Sequence, residues 1–378
     1  MSSHSKNVVI IGPAHPLRGG LATFNERLAK EFQSQQHSVS IYTYSLQYPG
    51  FLFPGKTQYS SEPAPKGIDI HVSINAINPF NWMSVGKELK NLRPDIIVVR
   101  YWLPLMGPCL GTILRIVKKN KHTKVICIAD NIIPHEKRLG DQTFTNYFIK
   151  PIDAFITMSE KVTADLRKLN THVPAVQVVH PLYDNFGPII SKEEARQKLN
   201  LKIDERIVLF FGFIRKYKGL DILLDAMAQL QSGPPAPLLI VAGEFYEKRQ
   251  PYDEQIQALG IKKNVTLLSD FVPDSEVKYY LCAADVVVQP YRSATQSGVT
   301  PLAYHFEVPM IVTNVGGLPS MVVENKTGLI AEPNARSLAD KINEFFFKGK
   351  EYYVPNLKVE KLKYSWQVMT YAILNLAK

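Results

Sequence analysis

Short β-branched runs recur along this chain with amphipathic stretches between them, and that alternation constrains the fold more than any other feature. In the first half, Asn7–Ile11, Ser38–Tyr44, Ile68–Val72, Asp95–Arg100, Lys124–Ala129, Ala154–Met158 and Val176–His180 read as strands. Leu21–Gln33 and Met106–Lys119 read as helices between them. Near-continuous apolar strands separated by helices imply a parallel sheet covered on both faces. After the stretch Tyr183 to Pro188 the pattern restarts, with Arg206–Phe213, Leu238–Gly243, Asn264–Ser269, Asp285–Pro290 and Met310–Thr313 as strands. Single cores stop growing near about 250–300 residues, and the chain has 378. Two doubly wound α/β domains are therefore expected, at residues 1–185 and 186–365, followed by an apolar helical tail at 366–378. Ligands bind beyond the carboxyl ends of strands in such sheets. Two such domains facing each other imply a cleft lined by both sets of loops.

Composition narrows the partners. Hydrophobic content of 46% with 21% charged residues describes an ordinary globular protein. The net charge of +10 and pI near 9.2 suit anionic partners such as phosphorylated substrates or an acidic membrane surface. No DNA- or RNA-binding motif accompanies the basic residues, so nucleic acid is not expected. Cys109, Cys127 and Cys282 lack metal-ligand spacing and read as reduced core cysteines of a cytoplasmic protein. NVVIIG is too short for a signal-peptide core, and no run approaches the roughly 18 apolar residues of a membrane span. A cytoplasmic protein, peripheral at the inner membrane face, is expected.

Two segments of the second half suit an anion. Residues 210–227 read FFGFIRKYKGLDILLDAM, and residues 289–319 read QPYRSATQSGVTPLAYHFEVPMIVTNVGGLP. In each, a strand-like run breaks into a loop of small or basic residues and reopens as a helix, which aims backbone N–H groups at one spot. Arg215 and Lys218 flank the first turn, and Gln296, Ser297, Gly298 and Val299 open the second helix. Fixed cations and amides stabilise a departing diphosphate; the bland alternative is a solvated basic face. Gly316 and Gly317 form either a tight turn or the wall of a sugar pocket.

The first half offers a glycine loop from Gly12 to Gly20 after its first strand. It is neither a GxGxxG fingerprint nor a Walker loop, which removes the main support for a bound NAD or a P-loop NTPase. In the loop after KVICIA, Asp130, His135 and Glu136 suit acid/base work, although a lone His is more often structural. The pair Tyr101-Trp102 either stacks on a sugar or packs under its loop.

Taken together, GGLATFNERLA, DNIIPHE, HPLYDNFG, GFIRKYKGLDILL, PYRSATQSGV, AYHFEVPMIVTNVGGLP and ENKTGL resemble glycosyltransferase family 4 over nearly the whole chain. The resemblance implies the GT-B fold, two Rossmann-like domains around a donor–acceptor cleft. It also implies a retaining glycosyltransferase using a nucleotide-diphosphate sugar, without a metal or other cofactor, acting on a glycan or lipid-linked acceptor in polysaccharide biosynthesis. By the same resemblance, Arg215 and Lys218 bind the diphosphate, Gly19 and Gly20 approach the donor phosphates, and the Gln296–Val299 turn meets the diphosphate. The C-terminal helix is implied to cross back onto the N-terminal domain. The chain departs from the family at four positions: Ala294 and Leu302 stand where two glutamates are common, and Glu307 replaces a common Gly. A family His near the end of the corresponding strand is replaced by Asp130, with His135 five residues on. These losses motivate a second reading, an inactive GT-B scaffold that binds a nucleotide sugar or glycan.

Overall fold

The computed structural model describes residues 5–50, 56–133, 140–169, 172–230, 236–294 and 297–378. The chain divides into two compact units: residues 1–181 with 365–378, and residues 182–364. The division falls four residues before the junction expected from sequence.

The first unit is built on β1 (Asn7–Ile11), β2 (Ser38–Leu46), β3 (Asp69–Asn75), β4 (Ile96–Tyr101), β5 (Lys124–Ala129), β6 (Ala154–Thr157) and β7 (Ala175–Gln177). They form one sheet in the order β3-β2-β1-β4-β5-β6-β7, with every pairing parallel. Its helices are α1 (Gly20–Ser34), α2 (Pro79–Leu92), α3 (Gly107–Lys118), α4 (Asp141–Ile149) and α5 (Glu160–Arg167). All six residues of β4 are buried, as a strand covered on both faces requires. On α1, Ala22, Phe24, Leu28, Ala29 and Phe32 share one buried stripe, the 3.6-residue period of a core-facing helix.

The second unit holds α6 (Lys192–Lys198), β8 (Ile207–Phe211), α7 (Leu220–Gln229), β9 (Leu238–Ala242), α8 (Gln250–Ala258), β10 (Val265–Leu268), α9 (Val277–Ala283), β11 (Val286–Gln289), α10 (Val299–His305), β12 (Met310–Thr313), β13 (Gly328–Ala331), α11 (Ala335–Lys348) and α12 (Val354–Glu360). Its sheet order is β10-β9-β8-β11-β12-β13. The sequence reading missed β13, a four-residue edge strand. Its Gly328 carries no side chain because a Cβ there would sit 2.1 Å from the Met310 carbonyl oxygen.

The last helix, α13 (Trp366–Leu376), belongs to the first unit. Trp366 packs on Phe24 of α1, with ring centroids 4.7 Å apart. Gln35 Nε2 donates to Thr370 Oγ1 at 2.8 Å. Among the described residues, no helix is long and apolar enough to cross a membrane. The three cysteines are free and buried, and burial pushes the Cys109 thiol up to about 12.

Candidate functional site

In each unit the strand order reverses once, between β1 and β4 and between β8 and β11. Such a reversal splays the following loops apart and opens a crevice at the carboxyl ends of the strands. The sequence-derived site residues that lie among the described residues gather at the loops of these two sheets.

In the second unit, β8 ends at Phe211 and the chain turns through Gly212 at φ 93°. A 3₁₀ turn, Lys216–Lys218, follows, and Gly219 at φ 66° leads into α7. Both glycines are required. Besides its positive φ, Gly219 sits where a Cβ would be 2.1 Å from the Pro290 carbonyl oxygen. This contact locks the β8 loop to the chain leaving β11, and the Arg292 amide adds a 2.7 Å bond to the Tyr217 carbonyl.

Lys218 turns inward and is 9% exposed. Its ammonium lies against Gly212, 3.3 Å from where a Cβ on that glycine would be, and a Val299 methyl comes within 3.7 Å of the same point. The ammonium is also 5.6 Å from the centre of the Tyr291 ring. Among the described residues no carboxylate pairs with Lys218 or with Arg215. Burial, together with the charge of Arg215, pushes the Lys218 ammonium down to about 7. Arg215 is exposed, and its guanidinium stands 4.9 Å from the centre of the Tyr246 ring. The neighbouring charges are engaged elsewhere: Arg292 pairs with Asp221, and the Lys216 amide donates to Glu247 at 2.9 Å.

The second loop closes on the first. Tyr291 hydroxyl and Ser297 Oγ are 3.2 Å apart, and Ser297 Oγ accepts from the Val299 amide at 3.2 Å. Thr313 Oγ1 donates to the Tyr291 carbonyl at 2.6 Å. The third segment joins them through Gly316 at φ 55°, where a Cβ would collide with the Ala294 carbonyl oxygen. Gly317 accepts from Ser320 Oγ at 2.8 Å. Thus Lys218, Ser297, Gly298, Val299 and Gly316 belong to one loop cluster, with Arg215 at its exposed side. Gln296 lies outside the described residues.

The family's missing glutamates have a clear structural setting. Ala294 and Leu302 are both buried, at 4% exposure, so neither position offers a polar group. Glu307 adopts φ 56°, which explains why a glycine suits that position. Its carboxylate is held by Lys361 at 2.6 Å.

In the first unit, the glycine loop runs from β1 to α1. The Ala14 amide donates to Thr43 Oγ1 at 2.9 Å, the His15 amide to Glu26 Oε1 at 2.8 Å, and Asn25 Nδ2 to the Pro13 carbonyl at 2.8 Å. Gly19 has φ 102° and caps α1, whose first turn carries no acid. Gly20 is the first residue of that helix. The loop therefore presents a positive helix terminus at the carboxyl end of β1.

Across the reversal stands Arg100, whose Cβ is 3.0 Å from where a Cβ on Gly12 would be. Arg100 is 2% exposed. Its Nε and Nη2 donate to the two Asp130 oxygens, each at 2.5 Å, and its guanidinium lies 3.9 Å from the centre of the Phe24 ring. Arg100 Nη1 has no partner among the described residues. Burial pushes the Asp130 carboxyl up, and the guanidinium beside it opposes that. One guanidinium thus engages both carboxylate oxygens in a bidentate, charge-assisted pair. His135 lies outside the described residues.

Burial pushes the nearby His180 down to about 4; neutral, it donates Nδ1–H to the Pro181 carbonyl at 2.7 Å. Tyr101 stacks on Phe148 with centroids 4.1 Å apart, and Trp102 donates to the Tyr48 hydroxyl at 2.7 Å, so both pack within the unit. Sequence reasoning took Arg100 only for the end of a strand. A basic residue closing an otherwise apolar run was the signal. Among the described residues, no cluster of three His, Cys, Asp or Glu could hold a metal ion.

Comparison with known proteins bears on the family and the fold. Residues 18–185 match the profile "Glycosyltransferase Family 4" and residues 191–353 match "Glycosyl transferases group 1". A putative teichuronic acid biosynthesis glycosyltransferase of Bacillus subtilis is 24% identical over 68% of this chain and 62% of its own length. A D-inositol 3-phosphate glycosyltransferase of Corynebacterium urealyticum is 26% identical over 63% of this chain. The match spans 58% of that relative's length. Among solved structures, HepE of Anabaena in complex with UDP-glucose superposes with a TM-score of 0.74 at 16% identity, covering 98% of both chains.

Proposed function

Because the chain belongs to the family 4 and group 1 glycosyltransferases, GT-B proteins with two Rossmann-like units, we propose that it moves a sugar from a nucleotide-diphosphate donor to an acceptor hydroxyl with retention at the anomeric carbon. In this reaction the bond from the anomeric carbon to the diphosphate oxygen breaks and a bond to the acceptor oxygen forms. The acceptor proton departs with the nucleotide diphosphate side. Most of the new charge develops on the leaving diphosphate, so stabilising that anion lowers the barrier most.

The observation that carries the reading is the buried Lys218, without a carboxylate partner among the described residues, at the strand reversal of the second unit. Burying a cation without a counter-ion is costly, and an arriving diphosphate removes that cost. Arg215 supplies a second charge from the exposed side of the loop. The amides of Ser297, Gly298 and Val299 complete the phosphate contacts in this proposal, and Gly316 and Gly317 wall the sugar. Cations and amides take the place of a metal. The Arg100–Asp130 pair offers acceptor oxygens to a sugar hydroxyl, with His135 beside it in sequence. The acceptor is a glycan or a lipid-linked glycan, reached from a peripheral position at an anionic membrane.

Ala294 and Leu302, apolar and buried, favour a second reading: a scaffold that binds the nucleotide sugar without turning it over. One experiment separates the two. Release of nucleotide diphosphate from UDP-, GDP- and ADP-sugars is measured with and without glycan acceptors, alongside thermal shift with each nucleotide. Turnover that survives EDTA is the expected outcome. Thermal stabilisation without release identifies the scaffold, and strict dependence on added magnesium or manganese overturns the metal-free mechanism.

A further inference from the structure

The hydroxyls around the Lys218 turn are not all placed alike. Thr313 Oγ1 donates to the Tyr291 carbonyl at 2.6 Å, and Thr300 Oγ1 donates to Gln289 Oε1 at 3.2 Å. Each of those protons has an acceptor. Tyr291 and Ser297 differ. Both are buried, at 3% and 6% exposure, and among the described residues the hydroxyl of each meets that of the other, 3.2 Å apart. Ser297 Oγ also accepts from the Val299 amide at 3.2 Å.

More protons than free acceptors converge on this pair. A hydroxyl brings one proton and two lone pairs, and an amide N–H brings a proton alone. Burial pushes the Tyr291 phenol up from its ordinary value, so it keeps its proton. If the phenol donates to Ser297, phenol and amide fill both lone pairs of Oγ, and the serine proton has to point elsewhere. If Ser297 donates instead, the tyrosine proton is left over. Either way one O–H is without an acceptor among the described residues. A phenol is a stronger acid than an alcohol, which favours the first arrangement and makes Ser297 the spare donor. A Val299 amide turned toward a ligand leaves the same spare proton, because an N–H only donates.

A buried donor without an acceptor is costly, and a second surplus stands beside this one. The Lys218 ammonium lies 5.6 Å from the centre of the Tyr291 ring and shares the space over Gly212 with a Val299 methyl. No carboxylate pairs with it among the described residues. A lone hydroxyl donor suits a water molecule. A hydroxyl donor next to an unpaired ammonium suits an oxyanion with several acceptor oxygens.

We propose that the Ser297 hydroxyl donates a hydrogen bond to the diphosphate that leaves the sugar, and that Tyr291 is the positioning residue that turns the serine proton toward that anion. The role rests on the diphosphate reading of this site. Ser297 touches the leaving group, and its bond strengthens as negative charge gathers there, so it lowers the barrier more than it tightens the bound donor. Tyr291 acts only through Ser297.

The parent chain, Ser297→Ala, Tyr291→Phe and the double variant are compared. Calorimetric titration with UDP, GDP and ADP reads binding of the free diphosphate, and release of these nucleotides from their sugars reads kcat and KM. Ser297→Ala should weaken binding of the preferred nucleotide about tenfold and lower kcat about tenfold, with the donor KM nearly unchanged. Tyr291→Phe should cost about threefold in both. The double variant should bind and turn over no worse than Ser297→Ala, because a tyrosine with no serine hydroxyl to orient has no further effect. Ser297→Ala strands the Tyr291 hydroxyl, so its melting temperature should fall by a few degrees and recover in the double variant. Unchanged binding and turnover in Ser297→Ala overturns the role and gives the spare proton to a buried water. A Tyr291→Phe loss that adds in full to that of Ser297→Ala makes Tyr291 a packing residue and overturns its positioning. The expected pattern of binding in a protein that releases no nucleotide from any sugar overturns the proposed reaction and leaves the hydroxyl contact standing. Binding of none of the three nucleotides by the parent overturns both.

Discussion

Both units place a buried cation at their strand reversal, and they treat it in opposite ways. Arg100 of the first unit is chelated by Asp130 at 2.5 Å through two donors. Lys218 of the second has no carboxylate partner among the described residues and is pushed down to about 7 by its burial and by Arg215. A guanidinium cannot discharge itself, so its burial requires a fixed counter-ion. An ammonium can shed its proton, so a lysine can wait buried for an anion that comes and goes. The first unit holds its buried charge with a fixed counter-ion, and the second leaves its buried charge without one among the described residues.

The largest effect that would break this contrast is expected at Asp130. Asp130→Ala leaves the Arg100 guanidinium buried alone, a loss of about 3–5 kcal/mol, seen as a drop in melting temperature of roughly 10 °C. Combining it with Arg100→Met should recover most of that loss. If Asp130→Ala melts like the parent, the pair is not an anchor and the contrast fails.

Lys218→Met should do the reverse. Turnover on the true donor is expected to fall on the order of 10²–10³, as for removal of one preorganised charge at a developing anion. The melting temperature should rise by a few degrees, since a buried unpaired cation has been replaced by an apolar chain of similar length. Retained turnover with a lowered melting temperature would make Lys218 a structural residue.

The smallest effect sharpens the comparison by pH. Lys218 is lowered from 10.5 to about 7, so between these values the unfolded chain holds a proton that the folded chain lacks. Stability contributed by this site therefore rises with pH across that window, and Lys218→Met should flatten the rise. Diphosphate needs the charged ammonium, so above pH 7 donor binding takes up a proton and weakens by up to about tenfold per unit. Calorimetry in buffers of different ionisation enthalpy measures that proton; none taken up at pH 8 would contradict the assignment.

How much of this could be read in advance varied by element. Long strands such as KVICIA and DIIVVR were legible because burial on both faces leaves continuous β-branched runs. β13 was not, because a four-residue edge strand led by Gly328 carries too little pattern to separate from a turn. Arg215 and Lys218 could be singled out as basic residues after a buried strand. That one is exposed and the other buried depends on a single 3₁₀ turn and two positive-φ glycines. Glu307 illustrates the same limit: the substitution for glycine was visible, and the positive φ that the glycine serves was not.

The sequence by itself determined the two doubly wound sheets, the basic balance and the loops where the candidate residues sit. These follow from local periodicity and from residue types at strand ends, which each segment carries whatever its neighbours do. The tertiary structure alone decided which cation has a partner. Arg100 and Asp130 are 30 residues apart, and they meet only because β4 and β5 run parallel as neighbours in register. Pairing is a property of distance in space, and distance in space is what the packing of helices and strands supplies.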